Sequence, residues 1–164
     1  MSYTPFNPTS NRATAGLKFQ QEVFEDLQNI YPDIQFEMTW DFYKKQHPDS
    51  TDKDLAILEK QNGDITYMLE GQRHYIECCF AMGTEVSRLC EMKRQNFVGK
   101  NKWYCYGFAH DDDVIFMPSI TWKKYTAKIK KADRSCRMVP LSSIKNLKAG
   151  RTGISNYWSE VHNV

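Results

Sequence analysis

The chain of 164 residues has no run of about eighteen apolar residues, so the sequence predicts no membrane span. The first residues lack the basic stretch and the apolar core of a signal peptide, so we expect none. There is no Cys-x-x-Cys pair, no phosphate loop, no dinucleotide-binding glycine pattern and no Ser/His/Asp arrangement with supporting spacing. These absences argue against a membrane protein, a cysteine zinc ribbon, a P-loop NTPase, a dinucleotide-dependent enzyme and a serine hydrolase.

Cysteine is present in an odd number and in apolar or aromatic surroundings, which are typical of buried, reduced thiols. Reduced thiols are typical of a cytosol-like compartment, so we expect a cytoplasmic protein. Cys78 and Cys79 are neighbours on a predicted strand, and their side chains point to opposite faces, which makes them a poor zinc pair. The cysteines are Cys78, Cys79, Cys90, Cys105 and Cys136.

Positive charge is concentrated toward the C-terminal end, although the net charge of the whole chain is only +2. Between residues 123 and 151 the only acidic residue is Asp133, so the rest of the chain is acidic. A localised basic tract indicates binding to a polyanion such as nucleic acid, and the alternative is a solvated helix face. The candidate nucleic-acid-binding residues are Lys123, Lys124, Lys128, Lys130, Lys131, Arg134 and Arg137.

The chain begins with a polar segment and continues as one domain. Residues 1–12 are rich in Pro, Asn, Ser and Thr and predict an extended arm, whereas residues 13–164 predict a single domain. Helical spacing of apolar residues predicts a first helix over residues 13–31, which ends at Pro32. Its core-facing stripe is Leu17, Gln20, Phe24, Leu27 and Tyr31.

The remaining elements alternate between helices and strands. Their order predicts an α/β domain in which a central mixed β-sheet is flanked by helices. The predicted elements are a strand over 34–40, a hairpin from 55–69 and 74–80, a helix over 84–97, strands over 103–109 and 114–117, a helix over 122–131 and a short helix from residue 140.

The hairpin is the most informative segment, because it brings two acidic side chains together. With Glu70-Gly71 as the loop, Asp64 lies directly opposite Glu77. With Gly71-Gln72 as the loop, Asp64 lies opposite Cys79. Glu77 is then one diagonal step away. Both registers place the two acids on one face of the sheet, because side chains alternate along a strand.

Two carboxylates held this close repel each other unless a cation or a shared proton lies between them. Mg²⁺ prefers oxygen ligands and keeps several waters, so one or two carboxylates and a substrate phosphate are enough to hold it. Asp64 and Glu77 are therefore candidate magnesium ligands for phosphodiester hydrolysis. The alternative is a pair of ordinary acids on a solvated sheet face.

Two polar residues inside apolar helix stripes are further candidates for this site. Lys93 continues the apolar stripe of the predicted helix over 84–97, so it either snorkels to water or meets a carboxylate or a ligand. Gln20 lies in the core-facing stripe of the first helix, where a buried amide needs a partner. Gln20 would orient a metal-bound water or bond to a backbone carbonyl.

Two segments that contain histidine are weaker candidates. His74 in the hairpin would act as a base or contact phosphate, and the alternative is a half-exposed strand residue. The segment His110-Asp111-Asp112-Asp113 would bind a cation, and the alternative is a polar turn between two strands.

The order and spacing of these motifs resemble the PD-(D/E)XK nuclease superfamily, which has the restriction-endonuclease-like or Holliday-junction-resolvase-like fold. Members have an opening helix with Glu or Gln facing the site, a hairpin that carries Asp, a Glu-x-Lys strand, and then a helix and further strands. The resemblance covers residues 16–147. The matching segments are Gly16-Leu17-Lys18-Phe19-Gln20, Gly63-Asp64, Glu77-Cys78-Cys79, Lys93-Arg94-Gln95-Asn96-Phe97, residues 103–108 and Met138-Val139-Pro140-Leu141.

The chain departs from the superfamily pattern at one position, where Cys79 replaces the usual lysine. A thiol does not supply the positive charge that stabilises the attacking hydroxide and the developing phosphorane. Three explanations are open. The lysine has moved to the following helix as Lys93, the site is inactive, or the fold serves binding alone. We favour the first, because Lys93 is misplaced for a surface lysine.

The resemblance implies a metal-dependent endonuclease that hydrolyses DNA in the cytoplasm of a bacterial or phage-infected cell. It implies Mg²⁺, with Mn²⁺ as a substitute, held by Asp64, Glu77 and a backbone carbonyl near Cys78. Lys93 would activate water, and Gln20 would complete the site. Cutting both strands would require a homodimer. The alternative is an inactive nuclease-fold protein that binds nucleic acid or a protein partner without cleavage.

Overall fold

Helices and strands alternate along the part of the chain that the structure describes. The computed structural model describes residues 11–81, 88–91, 97, 99–108, 111–126, 137–140 and 151–152. The helices are α1 (Asn11–Ile30), α2 (Thr39–Gln46), α3 (Asp52–Asn62) and α4 (Ser119–Thr126). The strands are β1 (Phe36–Met38), β2 (Ile65–Leu69), β3 (Gln72–Ala81), β4 (Arg88–Glu91), β5 (Lys102–Phe108), β6 (Asp111–Pro118), β7 (Arg137–Pro140) and β8 (Arg151–Thr152).

The central sheet is mixed, as the sequence predicts for an α/β domain. Its strand order is β1-β2-β3-β5-β6-β8, and β4 pairs with β7 in a separate two-stranded sheet. The contact between β3 and β5 is parallel, whereas the other neighbours in the central sheet run antiparallel. The parallel contact requires a crossover after β3, and β4 lies within that crossover.

Helix α1 covers one face of the sheet, which we call the α1 face. Phe19, Val23 and Leu27 are buried there against strand residues such as Ile65 and Ile76. The predicted helix is confirmed, and Phe24, Leu27 and Tyr31 of its predicted stripe pack in the core, but Leu17 is 53% exposed. Apolar residues occur around most of this helix, so periodicity alone does not choose between neighbouring stripes.

The other face of the sheet, which we call the α4 face, carries α2, α3 and α4. The indole of Trp122 on α4 contacts the rings of Tyr104 and Tyr106 on β5. The hydroxyl of Tyr43 on α2 lies 3.2 Å from the hydroxyl of Tyr75 on β3. The predicted arrangement of a mixed sheet flanked by helices is therefore confirmed.

The hairpin of β2 and β3 has the first of the two predicted registers. Leu69 pairs with Gln72, so the loop is Glu70-Gly71. Both loop residues have positive φ, 51° for Glu70 and 77° for Gly71, as a type I′ turn requires. This loop fixes which residues face each other along the whole hairpin.

Several predicted elements are wrong. The predicted strand over 55–69 begins as the helix α3, whose first turn is closed by Thr51 and Asp54. The Thr51 hydroxyl accepts from the Asp54 amide, and the Asp54 carboxylate accepts from the Thr51 amide. Helix α2 occupies part of a stretch without a predicted element. The capping hydrogen bonds of Thr51 and Asp54 therefore stabilise a helix where the apolar run favours a strand.

The predicted helix over 84–97 is also wrong where the structure describes it, because Arg88–Glu91 is strand β4. Its partner β7 includes Pro140, the predicted start of a last helix. Since β4 and β7 lie far apart in the chain, the sequence around β4 alone does not reveal their pairing. The predicted turn is wrong as well, because Asp111, Asp112 and Asp113 begin strand β6. Residues 11 and 12 of the predicted arm belong to α1, and residues 1–10 lie outside the described part.

His74 is a core residue of the α1 face rather than a half-exposed one. Its ring stacks on Tyr67 with a centroid distance of 4.9 Å, and Trp103 Nε1 donates a hydrogen bond to its Nδ1. Burial lowers the pKa of His74, which keeps the imidazole neutral as an acceptor. This position, on the face opposite Glu77, does not support the predicted contact with phosphate.

The close approach of α1 to β5 depends on Gly107, because a Cβ at this position would overlap the ring of Phe19. We expect Gly107→Ala to lower the free energy of unfolding by about 1–3 kcal/mol, as overpacking does. Urea denaturation measures this change. Gly16→Ala on α1 is the control, since a Cβ there has nothing within 4 Å. A Gly107→Ala protein as stable as the Gly16→Ala protein would contradict this packing.

Candidate functional site

Asp64 and Glu77 lie at the open end of the hairpin, just beyond the last paired residues of β2. The register of β2 with β3 ends at Ile65 opposite Ile76, and the Asp64 amide also donates to the Ile76 carbonyl, so the ladder is irregular at Asp64. Since Ile76 is buried on the α1 face, alternation puts its neighbour Glu77 on the α4 face. The shared face of the two carboxylates stays a prediction.

The backbone around Asp64 holds its position from three sides. The Asp64 amide donates to the Ile76 carbonyl at 2.7 Å, and the Asp64 carbonyl accepts from the Thr39 amide at 2.9 Å. The Asp64 carboxylate accepts from the Cys78 amide through Oδ2 at 2.8 Å. One oxygen of the carboxylate is therefore directed along the edge of β3.

Gly63 makes the sharp change from α3 to β2 that brings Asp64 to this place. Its φ is +80°, and a Cβ on it would lie 2.7 Å from the Ile76 carbonyl oxygen. Only glycine combines this backbone conformation with such a close approach. The helix α3 consequently ends right beside the acidic pair.

Cys78 contributes its backbone to this site and not its thiol. The Cys78 amide bonds to Asp64, and the N–H and C=O of one strand residue point to the same side, so its carbonyl also faces Asp64. The thiol points to the α1 face, where its contact with the Cys105 thiol and then its burial raise the pKa of Cys78. A protonated, buried thiol is not a metal ligand.

Glu59 is a third acid near the pair. Sequence periodicity does not identify it, because the sequence predicts a strand where α3 forms. It lies one turn before Gly63, and its carbonyl accepts from the Gly63 amide at 2.7 Å. Burial, and then the negative charge of Asp64, raise the pKa of Glu59 to about 7. Burial is the larger of these two causes, and the second shows that Glu59 and Asp64 lie close enough to interact.

Two helix ends meet at Asp64 with opposite effects on its charge. Helix α2 begins at Thr39, so its positive end stabilises the carboxylate, whereas α3 presents its negative end at Asn62. The Lys102 ammonium donates to the Gln61 carbonyl at 3.1 Å and offsets part of the negative end of α3. Burial lowers the pKa of Lys102.

Carboxylate and carbonyl oxygens are the donors that a hard divalent cation prefers, and Mg²⁺ completes such a set with water and substrate phosphate. Within the described residues, no group of three or more Asp, Glu, His or Cys side chains is arranged to hold a metal ion. The Thr39 Oγ1 is buried without a hydrogen-bond partner in the described chain, and the Thr39 amide donates to the Asp64 carbonyl. A metal site made of Asp64, Glu77 and the Cys78 carbonyl stays a prediction.

Cys79, the residue at the lysine position, lies on the same face as Glu77 and is buried. Its register partner is Tyr106, which contacts Trp122 of α4. The side chain at this position is therefore packed among aromatic rings and brings no positive charge.

Gln20 lies on the helix that covers the α1 face. Its amide donates to the Met38 sulfur at 3.6 Å, and Met38 packs with the core of the α1 face. The expectation that Gln20 completes the site stays a prediction. A thioether is a weak acceptor, and it satisfies the amide that periodicity places in the core.

Lys93 lies outside the described residues, and its predicted helical stripe fails because β4 replaces the helix at Arg88–Glu91. The basic tract is described only in part. Lys123 and Lys124 are exposed in the last turn of α4, and Arg137 begins β7. The other predicted members, Lys128, Lys130, Lys131 and Arg134, lie outside the described part.

Comparison of the chain with protein-family models, with curated proteins and with solved structures gives no significant match. Among the residues that the structure describes, no helix has both the length and the apolar character that a membrane crossing needs.

The raised pKa of Glu59 gives a stability change with a defined sign. Its ordinary value is 4.5 and its folded value about 7, so the folded state binds this proton more tightly. The contribution of Glu59 to the free energy of unfolding therefore falls as pH rises from about 4.5 to about 7. We expect Glu59→Gln to raise Tm above pH 7 and to leave it unchanged below pH 4.

Thermal unfolding monitored by circular dichroism across this pH range measures the effect. The exposed Glu25 on α1 provides the control, and Glu25→Gln should shift Tm equally at all pH values or not at all. A Glu59→Gln protein whose Tm difference from wild type is the same at pH 4 and pH 8 would contradict the assigned pKa.

Proposed function

We propose that this protein is a metal-dependent endonuclease that hydrolyses DNA phosphodiester bonds. The observation that carries the proposal is the hydrogen bond from the Cys78 amide to the Asp64 carboxylate, which brings Asp64 beside β3 at the residue that follows Glu77. Two carboxylates close together favour a divalent cation between them. A phosphodiester is the substrate that shares such an ion.

The element order supports a restriction-endonuclease-like architecture, which is part of the proposal. The resemblance calls for an opening helix, an Asp-bearing strand, a Glu-bearing strand and a further strand after a crossover. The chain has α1, then the Asp64 and Glu77 hairpin, then β5 parallel to β3. At Arg88–Glu91 the crossover contains a strand where the resemblance calls for a helix.

Each residue of the site has a separate task in this proposal. Asp64 and Glu77 would hold Mg²⁺, with Mn²⁺ as a substitute, and the Cys78 carbonyl would be a third ligand. When bound, the ion polarises the phosphodiester and lowers the pKa of a coordinated water. The Cys78 and Thr39 amides keep Asp64 in place, which preserves the ligand geometry.

The position of α4 supports nucleic acid as the substrate. Trp122 packs on Tyr104, and Tyr104 is the register partner of Glu77, so α4 lies next to the acidic pair. Lys123 and Lys124 extend from the end of the same helix. A DNA backbone on this face would have positive charge beside the ion, and a homodimer would let two such sites cut both strands.

Removing either acid tests the proposal directly. Asp64→Ala and Glu77→Ala should each abolish nicking of supercoiled plasmid in Mg²⁺ or Mn²⁺, because each removes a ligand of the ion. DNA binding measured by gel shift should remain close to wild type. Glu37→Ala is the control and should cut normally, because Glu37 lies on β1 and pairs with Lys45. Full activity of both site variants would refute the metal assignment.

The second candidate function is nucleic-acid binding without cleavage, and the buried Cys79 at the lysine position favours it. This protein would bind DNA with an affinity that falls steeply with salt, since phosphate contacts release counterions. Wild-type protein that shifts DNA but never nicks it in either metal would select this function. Absence of any DNA binding at low salt would instead favour a protein partner.

The endonuclease requires a positive charge from a residue other than Cys79, and Lys93 is our candidate. It follows Glu91, the end of β4, by two residues in the crossover after the Glu77 strand. We expect Lys93→Ala to reduce the cleavage rate by about 100-fold or more, as loss of a transition-state donor does.

Lys100→Ala is the matched control, since Lys100 is exposed in the turn before β5. The measurement is the single-turnover rate of plasmid nicking. Equal rates in the two variants would reject the migrated lysine and leave the metal ligands untouched.

A further inference from the structure

Arg73 on β3 is a positively charged residue that the structure holds in one place on the α4 face. The next residue of the strand, His74, is buried in the α1 face, so alternation puts Arg73 on the other side. The guanidinium lies over the ring of Phe42 on α2, with Cζ 3.7 Å from the ring centroid. Its Nη1 donates to the hydroxyl of Thr66 at 3.1 Å. A ring and a hydroxyl from two different elements therefore fix the position of this charge.

The direction of this side chain brings its charge toward Glu77. Arg73 pairs with Met68 across the hairpin, but its Nη1 reaches Thr66, which is the partner of Tyr75. The guanidinium therefore extends to the level of Tyr75, two residues before Glu77 on the same strand. Two strand residues span about 7 Å. Nucleic acid rises about 3.4 Å per nucleotide along one strand, so this spacing corresponds to about two nucleotides.

The groups that surround the guanidinium are uncharged. Among the described residues, Arg73 makes no ion pair with a carboxylate. The hydroxyls of Tyr43 and Tyr75 lie 3.2 Å from each other on this face. Burial, and then the hydrogen bond with Tyr75, raise the pKa of Tyr43, whereas the charge of Arg73 lowers it, so the guanidinium lies close enough to act on this hydroxyl. The attraction of Arg73 for an anion is therefore not cancelled by a neighbouring acid.

The guanidinium also has hydrogen-bond donors that its protein contacts do not use. It carries five N–H donors, and within the described residues Thr66 is the one acceptor that it meets. Arg73 is half-buried rather than enclosed. The planar fork of a guanidinium matches two oxygens of a phosphate, which makes phosphate the anion that this group suits best.

We propose that Arg73 binds a phosphate of the nucleic-acid strand whose scissile phosphate lies at Asp64 and Glu77. This inference rests on the proposed nuclease site and gives it a second contact with the substrate backbone. The contact positions the strand and does not read its sequence, because the phosphate groups are the same at every base.

The test is Arg73→Gln, which removes the charge and keeps a polar side chain. Binding of a fluorescently labelled DNA duplex is measured by anisotropy in EDTA over a series of salt concentrations. We expect the affinity to fall by about tenfold, as loss of a charged hydrogen bond does. The slope of the logarithm of the binding constant against the logarithm of the salt concentration should flatten by about 0.9, because one phosphate contact is lost. Arg73→Lys should keep the wild-type slope, since it keeps the charge.

Lys18→Gln is the matched control, because it removes the same charge from the helix that covers the other face of the sheet. The Lys18 side chain is 76% exposed, so its replacement does not disturb packing. Both the affinity and the salt slope should stay at their wild-type values in this variant. Circular dichroism of each variant shows that it is folded.

The outcomes separate this inference from the proposed endonuclease. An Arg73→Gln protein with wild-type affinity and slope overturns the role of Arg73, even where Asp64→Ala abolishes nicking. Weaker binding with an unchanged slope means a structural role and also overturns the inference. A flattened slope in a protein that never nicks DNA supports the phosphate contact and overturns the endonuclease alone. Wild-type protein that binds no DNA overturns both.

Discussion

The pairing of β2 with β3 through the Glu70-Gly71 loop determines where the two candidate acids lie. A slip of one residue would send every side chain of one strand to the other face. The loop conformation and the burial of Ile65 and Ile76 prevent this slip, so Ile65 stays opposite Ile76. The hydrophobic α1 face thus fixes the two residues that adjoin the acids, and it holds Asp64 and Glu77 at the same end of the hairpin.

The protein offsets this negative charge with dipoles. The Cys78 amide, the Thr39 amide and the positive end of α2 all act on Asp64, while the negative end of α3 and the nearby Glu59 act against it. Burial first, and then the charge of Asp64, raise the pKa of Glu59 to about 7.

The sequence predicts the parts of this site that depend on alternation and turn chemistry. The Glu70-Gly71 loop is one of the two registers that alternation allows, whereas the ladder is irregular at Asp64, whose amide donates to the Ile76 carbonyl. Glu59 and Thr39 are not predictable in this way, because their positions depend on where α3 ends and α2 begins. The prediction for Lys93 depends on a helical spacing of apolar residues, but Arg88–Glu91 in that segment forms β4 instead. Pairing with the distant β7 decides that segment.

The buried Cys79 constrains how the proposed endonuclease could work. Its register partner Tyr106 contacts the indole of Trp122, so a charge at position 79 would be desolvated. The positive charge that a phosphate needs would then come from outside this packed region. Trp122 contacts Tyr104, the register partner of Glu77, so α4 lies next to that acid and carries Lys123 and Lys124 in its last turn. Close aromatic packing on the strands thus excludes charge there and makes the helix end a source of positive charge for a polyanion on this face.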